Sequence, residues 1–149
     1  KLRANVPGIT ISTDLIVGFP TESEDDYFAT VDLVNEIQFD FAYVFKYSPR
    51  PGTKSAAFAD DIPLTEKEKR HSYILSLTNR ISQTRCQQLI GTVQEVLVES
   101  TTGWGDYYGR TRSNYPVNFK EHSLDIIGRT IKIKITDAKV HSLFGHPVD

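Results

Sequence analysis

Residues 9–47 alternate between two kinds of pattern in a way that allows very few folds. The run 9–19, ITISTDLIVGF, is rich in β-branched and aliphatic residues, which is typical of a strand buried on both faces. Ser23 and Asp26 then have the spacing of a capping box, and apolar residues at helical spacing predict a helix over 23–38. The aromatic and branched run 39–47 predicts a second buried strand. Strand, helix and strand in this order form a βαβ unit, which requires parallel strands and a right-handed crossover.

This βαβ unit is too small to stand alone as a fold. Parallel sheets are found almost only where helices cover both faces, and one unit followed by one helix cannot supply that cover. We therefore expect the first part of the chain to be the tail of a larger α/β barrel whose earlier strands are absent from this sequence.

The pattern changes at Gly91, after a long helical stretch over 64–90. The remaining residues form short alternating segments separated by Gly, Asn, Ser and Pro: TVQEVLVES, DYYGRTR, PVNF, TIKIKITDA and HSLFGHPV. Such segments predict a small closed barrel of five strands, since closure removes exposed strand edges. The predicted fold class is α/β followed by all-β, and the predicted domains are 1–63, the linking helix 64–90, and the barrel 91–149.

Composition excludes several classes of protein. The formal net charge is −2 and there is one cysteine, Cys86, so an internal disulfide or a Cys-rich metal site cannot form within the chain. No apolar run approaches the roughly 20 residues that cross a bilayer, and we expect a cytoplasmic protein with no membrane partner. The histidines lack metal-ligand spacing, so no catalytic or metal-ligating residue is assigned: His71, His122, His141 and His146.

Two stretches of the first part invite a functional interpretation. A strand ending in Gly18 would let a flat ligand approach the backbone at a barrel rim, although Gly18 could equally serve only the turn into the helix. The stiff turn YSPRPGT would present Arg50 on the same rim to a carboxylate, a phosphate or a base, the alternative being a rigid connector with a solvated Arg50. The charged stretch TEKEKRH is interpreted as a solvated helix face.

The barrel half mixes aromatic and cationic residues, a combination that small β-barrels use to bind single-stranded or looped RNA. Roughly half of the aromatic side chains should pack inside, because alternate strand residues face the core: Trp104, Tyr107, Tyr108, Tyr115 and Phe119. We place Val117 and Phe119 inside. The predicted RNA contacts on the outer face are Arg110, Arg112, Asn114, Lys132 and Lys134.

Three stretches in the same order resemble the radical S-adenosylmethionine methylthiotransferases of the MiaB type, which modify tRNA. They are TDLIVGFPTESEDDYFATVDLVNEIQFDFAYVFKYSPRPGTKSAA, DDIPLTEKEKR and GRTRSNYPVNF. The resemblance implies the last strands of a partial (β/α) radical-SAM barrel, followed by an OB-like TRAM barrel that binds tRNA. That family usually has Gly-Glu-Thr after GFP, whereas this chain has Thr21, Glu22 and Ser23.

The same resemblance implies what the whole parent enzyme does. The parent would add a methylthio group to N6-isopentenyladenosine beside the tRNA anticodon, using S-adenosylmethionine and two 4Fe–4S clusters. The cluster-binding cysteines of the family are not in this sequence, so the chain alone should be inactive. By resemblance, Ile16, Gly18 and Phe19 would lie beside the adenosyl group of the cofactor. A noncatalytic RNA-binding module, or a methylthiotransferase acting on threonylcarbamoyl-adenosine or a ribosomal protein, stays open as an alternative.

Overall fold

The computed structural model describes residues 1–102, 106–121 and 125–148. The chain forms two compact units, Ile11–Ile81 and a second one made of Lys1–Thr10 with Ser82–Asp149. Helical and parallel-strand elements come first and a closed five-stranded barrel follows, which confirms the predicted fold class. The finer division into 1–63, 64–90 and 91–149 stays a prediction.

The first unit contains the predicted βαβ motif. Strands β1 (Ser12–Val17) and β2 (Phe41–Lys46) are parallel neighbours, and helix α2 (Glu24–Ile37) connects them. The predicted capping box is present, since the backbone N–H of Asp26 donates to Ser23 Oγ over 3.1 Å and the Asp26 carboxylate accepts from the Ser23 backbone N–H over 3.0 Å. Hydrogen bonds from the Ser23 side chain and backbone hold the pKa of Asp26 below its usual value.

Among the residues that the structure describes, helices cover one face of the β1–β2 sheet and the other face is exposed. Leu15 and Val17 face a core in which α2 packs beside helix α3 (Leu64–Gln87). The other residues of this core are Tyr27, Val31, Val34, Ile74, Leu77 and Ile81. On the opposite face Ile16 is 54% exposed, Tyr43 62% and Phe45 52%. The expectation of strands buried on both faces is therefore wrong for this chain, because both helices pack against the same side.

Two further segments complete the helical inventory of the described residues. A short 3₁₀ helix, Lys54–Ala57, lies in the connection between β2 and α3. Helix α1 (Leu2–Asn5) belongs to the second unit, as does the end of α3, where Ser82 Oγ donates to the Val140 carbonyl over 2.9 Å. Cys86 is fully buried there, and its thiol donates to the Val140 carbonyl over 3.7 Å.

The second unit is a closed barrel of five strands, which are β3 (Val93–Thr101), β4 (Tyr107–Thr111), β5 (Pro116–Phe119), β6 (Thr130–Ala138) and β7 (Leu143–Pro147). Their order around the barrel is β3-β4-β5-β7-β6. The β5–β7 pair is parallel and the other pairs are antiparallel. These strands match the five segments predicted from the sequence.

Side-chain alternation along the strands fills the barrel interior. Val117 is 0% exposed and Phe119 3%, which confirms their predicted inward orientation. On β6, Ile133 and Ile135 are buried while the lysines between them are exposed. Two glycines allow close strand approach: a Cβ on Gly109 would collide with the carbonyl oxygen of Leu97, and one on Gly145 with that of Lys134.

Candidate functional site

A buried ion network closes the rim where β1 ends. One carboxylate oxygen of Glu22 accepts the backbone N–H of Gly18 over 2.8 Å and Arg70 Nη1 over 2.5 Å. Arg70 also donates to the Glu22 carbonyl over 3.2 Å, so α3 holds the turn after β1 through a single side chain. Both partners are nearly shielded from solvent, with 7% of the Arg70 side chain and 10% of the Glu22 side chain exposed.

Arg70 has two more partners that keep it charged. Its Nε donates to Glu66 Oε1 over 3.1 Å, and its guanidinium lies 5.1 Å from the centre of the Tyr27 ring. Burial disfavours the charged guanidinium, but the hydrogen bonds from Arg70 to Glu22 and Glu66 outweigh this effect and raise the pKa of Arg70. The hydrogen bond from Arg70 in turn lowers the pKa of Glu66.

A second cation from the same helix lies under the rim. Lys67 is only 4% exposed, and its Nζ contacts Asp60 Oδ1 at 2.5 Å and lies 5.3 Å from the centre of the Tyr47 ring. The stem of Lys67 fills the space next to Gly18, where an added Cβ would collide with Lys67 Cγ. Gly18 also has a φ of +69°, so this position favours glycine for both steric and conformational reasons.

Sequence reasoning missed this network. The stretch TEKEKRH was interpreted as a solvated face, which is correct for Glu68 and Lys69 but wrong for Lys67 and Arg70. These two are three residues apart and so lie on the helix side that faces the rim. The only signal in the sequence was that spacing. Through these paired charges, two side chains of α3 contact the turn after β1 and the segment before α3.

The three residues predicted to lie beside a cofactor have different surroundings. Ile16 belongs to the open face of the sheet, and Phe19 is 39% exposed with its ring 5.1 Å from that of Tyr47. Both offer apolar surface that fits a flat adenosyl group. Gly18 is buried, and its N–H is already donated to Glu22, so it has a packing role in addition to the predicted one. Contact with a cofactor stays a prediction for all three.

The turn Tyr47–Thr53 follows β2 on the same rim. It is anchored by Tyr47, whose backbone N–H donates to the Val17 carbonyl and whose hydroxyl donates to the Ser55 carbonyl, both over 2.9 Å. Thr53 Oγ1 donates to the Arg50 carbonyl over 2.8 Å and closes the turn. The guanidinium of Arg50 is exposed and makes no hydrogen bond or ion pair within the described part of the chain. Its predicted role in binding stays open.

The five predicted RNA contacts lie on the outer surface formed by β4, β3 and β6 and by the β4–β5 turn. Lys132 and Lys134 are exposed on β6, and Lys132 is the register partner of Glu95 on β3. Arg112 Nε donates to the same Glu95 over 2.6 Å from the other side. Glu95 therefore lies between two predicted contact residues.

Arg110 and Asn114 form a pair at the end of this surface. Arg110 Nη1 donates to Asn114 Oδ1 over 3.2 Å, and Arg110 Nε is 3.5 Å from Glu99 Oε2. The sequence did not reveal that the acidic residues of β3 would hold both arginines. The barrel segment from Gly91 to Asp149 has seven Lys or Arg and seven Asp or Glu, which sum to no net charge.

The aromatic residues of the barrel divide as the alternation rule predicts. Tyr107, Tyr115 and Phe119 are 6%, 5% and 3% exposed and form part of the interior, whereas Tyr108 is half-buried on the outside. Trp104 and His122 lie outside the described residues. Phe144 on β7 also lies on the outside, and the sequence analysis did not select it.

Neither a metal cluster nor a membrane span is found where the structure is described. Within residues 1–102, 106–121 and 125–148, no group of three or more His, Cys, Asp or Glu side chains could hold a metal ion. In the same residues, none of the helices is long and apolar enough to cross a membrane.

Comparison with known proteins agrees with the resemblance noted in the sequence. Residues 87–148 match the family described as the TRAM domain. The chain is 46% identical over 147 residues to the tRNA-2-methylthio-N(6)-dimethylallyladenosine synthase of Syntrophomonas wolfei, a match that covers 97% of this chain and 33% of that protein. Synthases of the same name from Endomicrobium trichonymphae and Acetivibrio thermocellus are 42% and 41% identical over 97% of this chain, which covers 34% and 30% of their lengths.

The chain thus spans about a third of the length of the curated relatives it matches. The similarity continues through both units, and the predicted family is confirmed. The chain contains a TRAM domain at residues 87–148 and is similar, over nearly its whole length, to the C-terminal third of the tRNA-2-methylthio-N(6)-dimethylallyladenosine synthases.

Proposed function

We propose that this chain is the C-terminal part of a cytoplasmic tRNA-modifying methylthiotransferase that adds a methylthio group to N6-isopentenyladenosine, also called dimethylallyladenosine, next to the anticodon. The observation that carries the proposal is the similarity of 41–46% identity over 97% of the chain to synthases whose name states this product. In this proposal the barrel binds tRNA and the βαβ unit forms part of the wall of the catalytic barrel.

The open face of the β1–β2 sheet supports the assignment of the first unit. Parallel strands are normally covered on both sides, yet Ile16, Tyr43 and Phe45 are each more than half exposed. The register pairs Ile16 with Phe45, and Asp14 with Tyr43, on this face. In a complete (β/α) barrel the helices lie outside, so this face would line the interior, where barrel enzymes place their sites near the carboxyl ends of the strands.

S-adenosylmethionine and the two 4Fe–4S clusters would be held mainly by the rest of the enzyme. When bound, that cofactor supplies the radical chemistry of the reaction. Ile16 and Phe19 would contribute apolar contacts to its adenosyl group from the β1 rim. The Glu22–Arg70 pair and Lys67 would keep the rim in place, and the turn Tyr47–Thr53 would present Arg50 towards a phosphate, a carboxylate or a base.

The cationic outer surface of the barrel supports tRNA binding. Arg110 lies on β4, Arg112 in the β4–β5 turn, and Lys132 and Lys134 on β6, with β3 between the two strands, so that one RNA backbone could reach all four. Because Glu95 and Glu99 pair with the two arginines, a phosphate must compete with a carboxylate for them. We therefore expect modest affinity that falls steeply with salt concentration.

Titration of the chain with tRNA at several salt concentrations tests the RNA-binding part of this proposal. We expect saturable binding, with a binding constant whose logarithm falls linearly with the logarithm of the salt concentration. An RNA that lacks the anticodon stem-loop serves as the control. Absence of tRNA binding by the folded chain at low salt would contradict the proposal. Replacing Arg50 by Ala in the complete enzyme tests whether Arg50 binds a ligand at the rim. Unchanged turnover and tRNA affinity would show that the turn is only a rigid connector and that Arg50 is solvated.

A further inference from the structure

The outside of the barrel carries a second surface, which begins on β4 and continues across β5 and β7. Tyr108 on β4, Asn118 on β5 and Phe144 on β7 form one row, because Tyr108 is the register partner of Asn118 and Asn118 that of Phe144. Each is half-buried while its strand neighbours point inward. With neighbouring strands about 4.8 Å apart, the two aromatic residues are roughly 10 Å apart along the surface, with the amide between them.

A cation lies against each ring of the row. The guanidinium of Arg110 is 5.7 Å from the centre of the Tyr108 ring, and Lys139 Nζ is 4.9 Å from the centre of the Phe144 ring. One face of each ring is therefore already in contact with a cation of the chain, and both rings are only partly buried. The two cations are also placed to meet phosphates beside whatever the rings bind.

Asn118 supplies the polar group of the row. Its side-chain amide makes no hydrogen bond within the described part of the chain, although it is half-buried between two aromatic residues. An amide has both donors and an acceptor, which match the polar edge of a nucleobase. The Tyr108 hydroxyl likewise has no hydrogen-bond partner within residues 1–102, 106–121 and 125–148.

We propose that Tyr108, Asn118 and Phe144 form a binding site for unpaired nucleobases of RNA, in which the two rings stack on bases and the Asn118 amide bonds to a base edge. The inference rests on the proposed function, and it assigns to this row the discrimination between single-stranded and paired RNA. A protein partner fits the row less well, because lysine is depleted in the core of protein interfaces and Lys139 lies over the Phe144 ring. Bases in a duplex are stacked on one another, so only unpaired bases can use the row.

One RNA strand could contact both this row and the predicted RNA-binding residues on β4, on β6 and in the β4–β5 turn. Arg110 contacts the Tyr108 ring and also pairs with Asn114 and Glu99, so it belongs to both surfaces. Bases on the row would therefore place the adjoining backbone near Arg110 and Arg112. In this arrangement stacking contributes affinity that depends little on salt, whereas the cations contribute the part that salt weakens.

Fluorescence anisotropy with the 149-residue chain tests the row. The probes are a labelled single-stranded oligoadenylate of about twelve nucleotides, within the usual range for one small barrel, and a duplex RNA of the same length. We expect the single strand to bind more tightly, and Tyr108→Ala and Phe144→Ala each to weaken it about tenfold without changing the salt slope. Tyr108→Phe should retain affinity because it keeps the ring, and Asn118→Asp should lose it.

Tyr73→Ala is the matched control, since Tyr73 is exposed on α3 in the other unit and should leave RNA binding unchanged. Thermal unfolding of each variant shows whether the barrel remains folded. The proposed base-binding site would be refuted if the folded Tyr108→Ala and Phe144→Ala variants bound the single strand with unchanged affinity, or if the unsubstituted chain bound the duplex as tightly as the single strand. Either result would leave the proposed function standing. Failure of the unsubstituted chain to bind any RNA would overturn both.

Discussion

Removal of Arg70 should destabilise the first unit more than removal of any other charged side chain on α3. Arg70→Met keeps most of the side-chain volume but leaves the Glu22 carboxylate, 10% exposed, with the Gly18 N–H as its remaining partner in this network. Deleting one partner of a buried ion pair costs about 3–5 kcal/mol. That is a large fraction of the 5–15 kcal/mol that stabilises a typical domain. Glu66→Gln is the matched control, and it should have a smaller effect because Glu66 is 33% exposed.

A double-mutant cycle shows whether the pair itself is responsible. Glu22→Gln combined with Arg70→Met removes both charges, so the double variant should be less destabilised than the sum of the singles, with a coupling of about 2 kcal/mol. Urea unfolding followed by circular dichroism at 222 nm measures these free energies, because α2 and α3 dominate that signal. A loss below about 1 kcal/mol for Arg70→Met, or simple additivity in the cycle, would refute the reasoning.

Four other outcomes are expected. Gly145→Ala should lower the free energy of unfolding of the barrel by about 1–3 kcal/mol, since the added Cβ would collide with the carbonyl oxygen of Lys134 on β6. An unchanged urea midpoint would show that β6 and β7 can move apart without loss of stability. Thr21→Gly should raise the free energy of unfolding by about 1 kcal/mol, because a β-branched residue is strained at a φ of +71°, and a loss of stability would contradict this. The stabilisation from the Asp26 carboxylate should be complete above the pKa of about 4 that this group has in the unfolded chain, and it should be lost as the pH falls through the lower pKa of the folded state. In the Asp26→Asn variant, the free energy of unfolding should therefore fall less steeply at acid pH. Replacing Lys132 and Lys134 together by Ala should reduce, by about 1 to 2, the magnitude of the slope of log binding constant for tRNA against log salt concentration. An unchanged slope would show that neither lysine contacts the RNA backbone.

The sequence predicted the elements well because local rules determine them. The capping box at Ser23 and Asp26 set the start of α2, and the period-2 pattern of Ile133 and Ile135 identified an inner strand face. The five barrel strands followed from alternation and turn residues, and the closed order agrees with the need to avoid open edges.

The contacts that the sequence did not reveal are those made between distant segments. Arg70 and Glu22 are 48 residues apart, and nothing local indicates that a charged helix residue will be buried against the turn after β1. The row of Tyr108, Asn118 and Phe144 likewise depends on the parallel β5–β7 pairing, which a list of short strands does not specify. The burial of β1 and β2 was overestimated because an apolar run shows that a strand needs cover on both faces, whereas α2 and α3 both cover the same face in the described part of this chain.

A transplant of this chain into a relative tests whether it can act as the C-terminal part of a tRNA-2-methylthio-N(6)-dimethylallyladenosine synthase. The matching third of the Syntrophomonas wolfei synthase would be replaced by residues 1–149, and the chimera expressed in cells that lack their own synthase. Mass spectrometry of nucleosides from the tRNA then measures 2-methylthio-N6-dimethylallyladenosine. We expect the chimera to restore this nucleoside. A folded chimera that accumulates normally and leaves the tRNA without the methylthio group would contradict it.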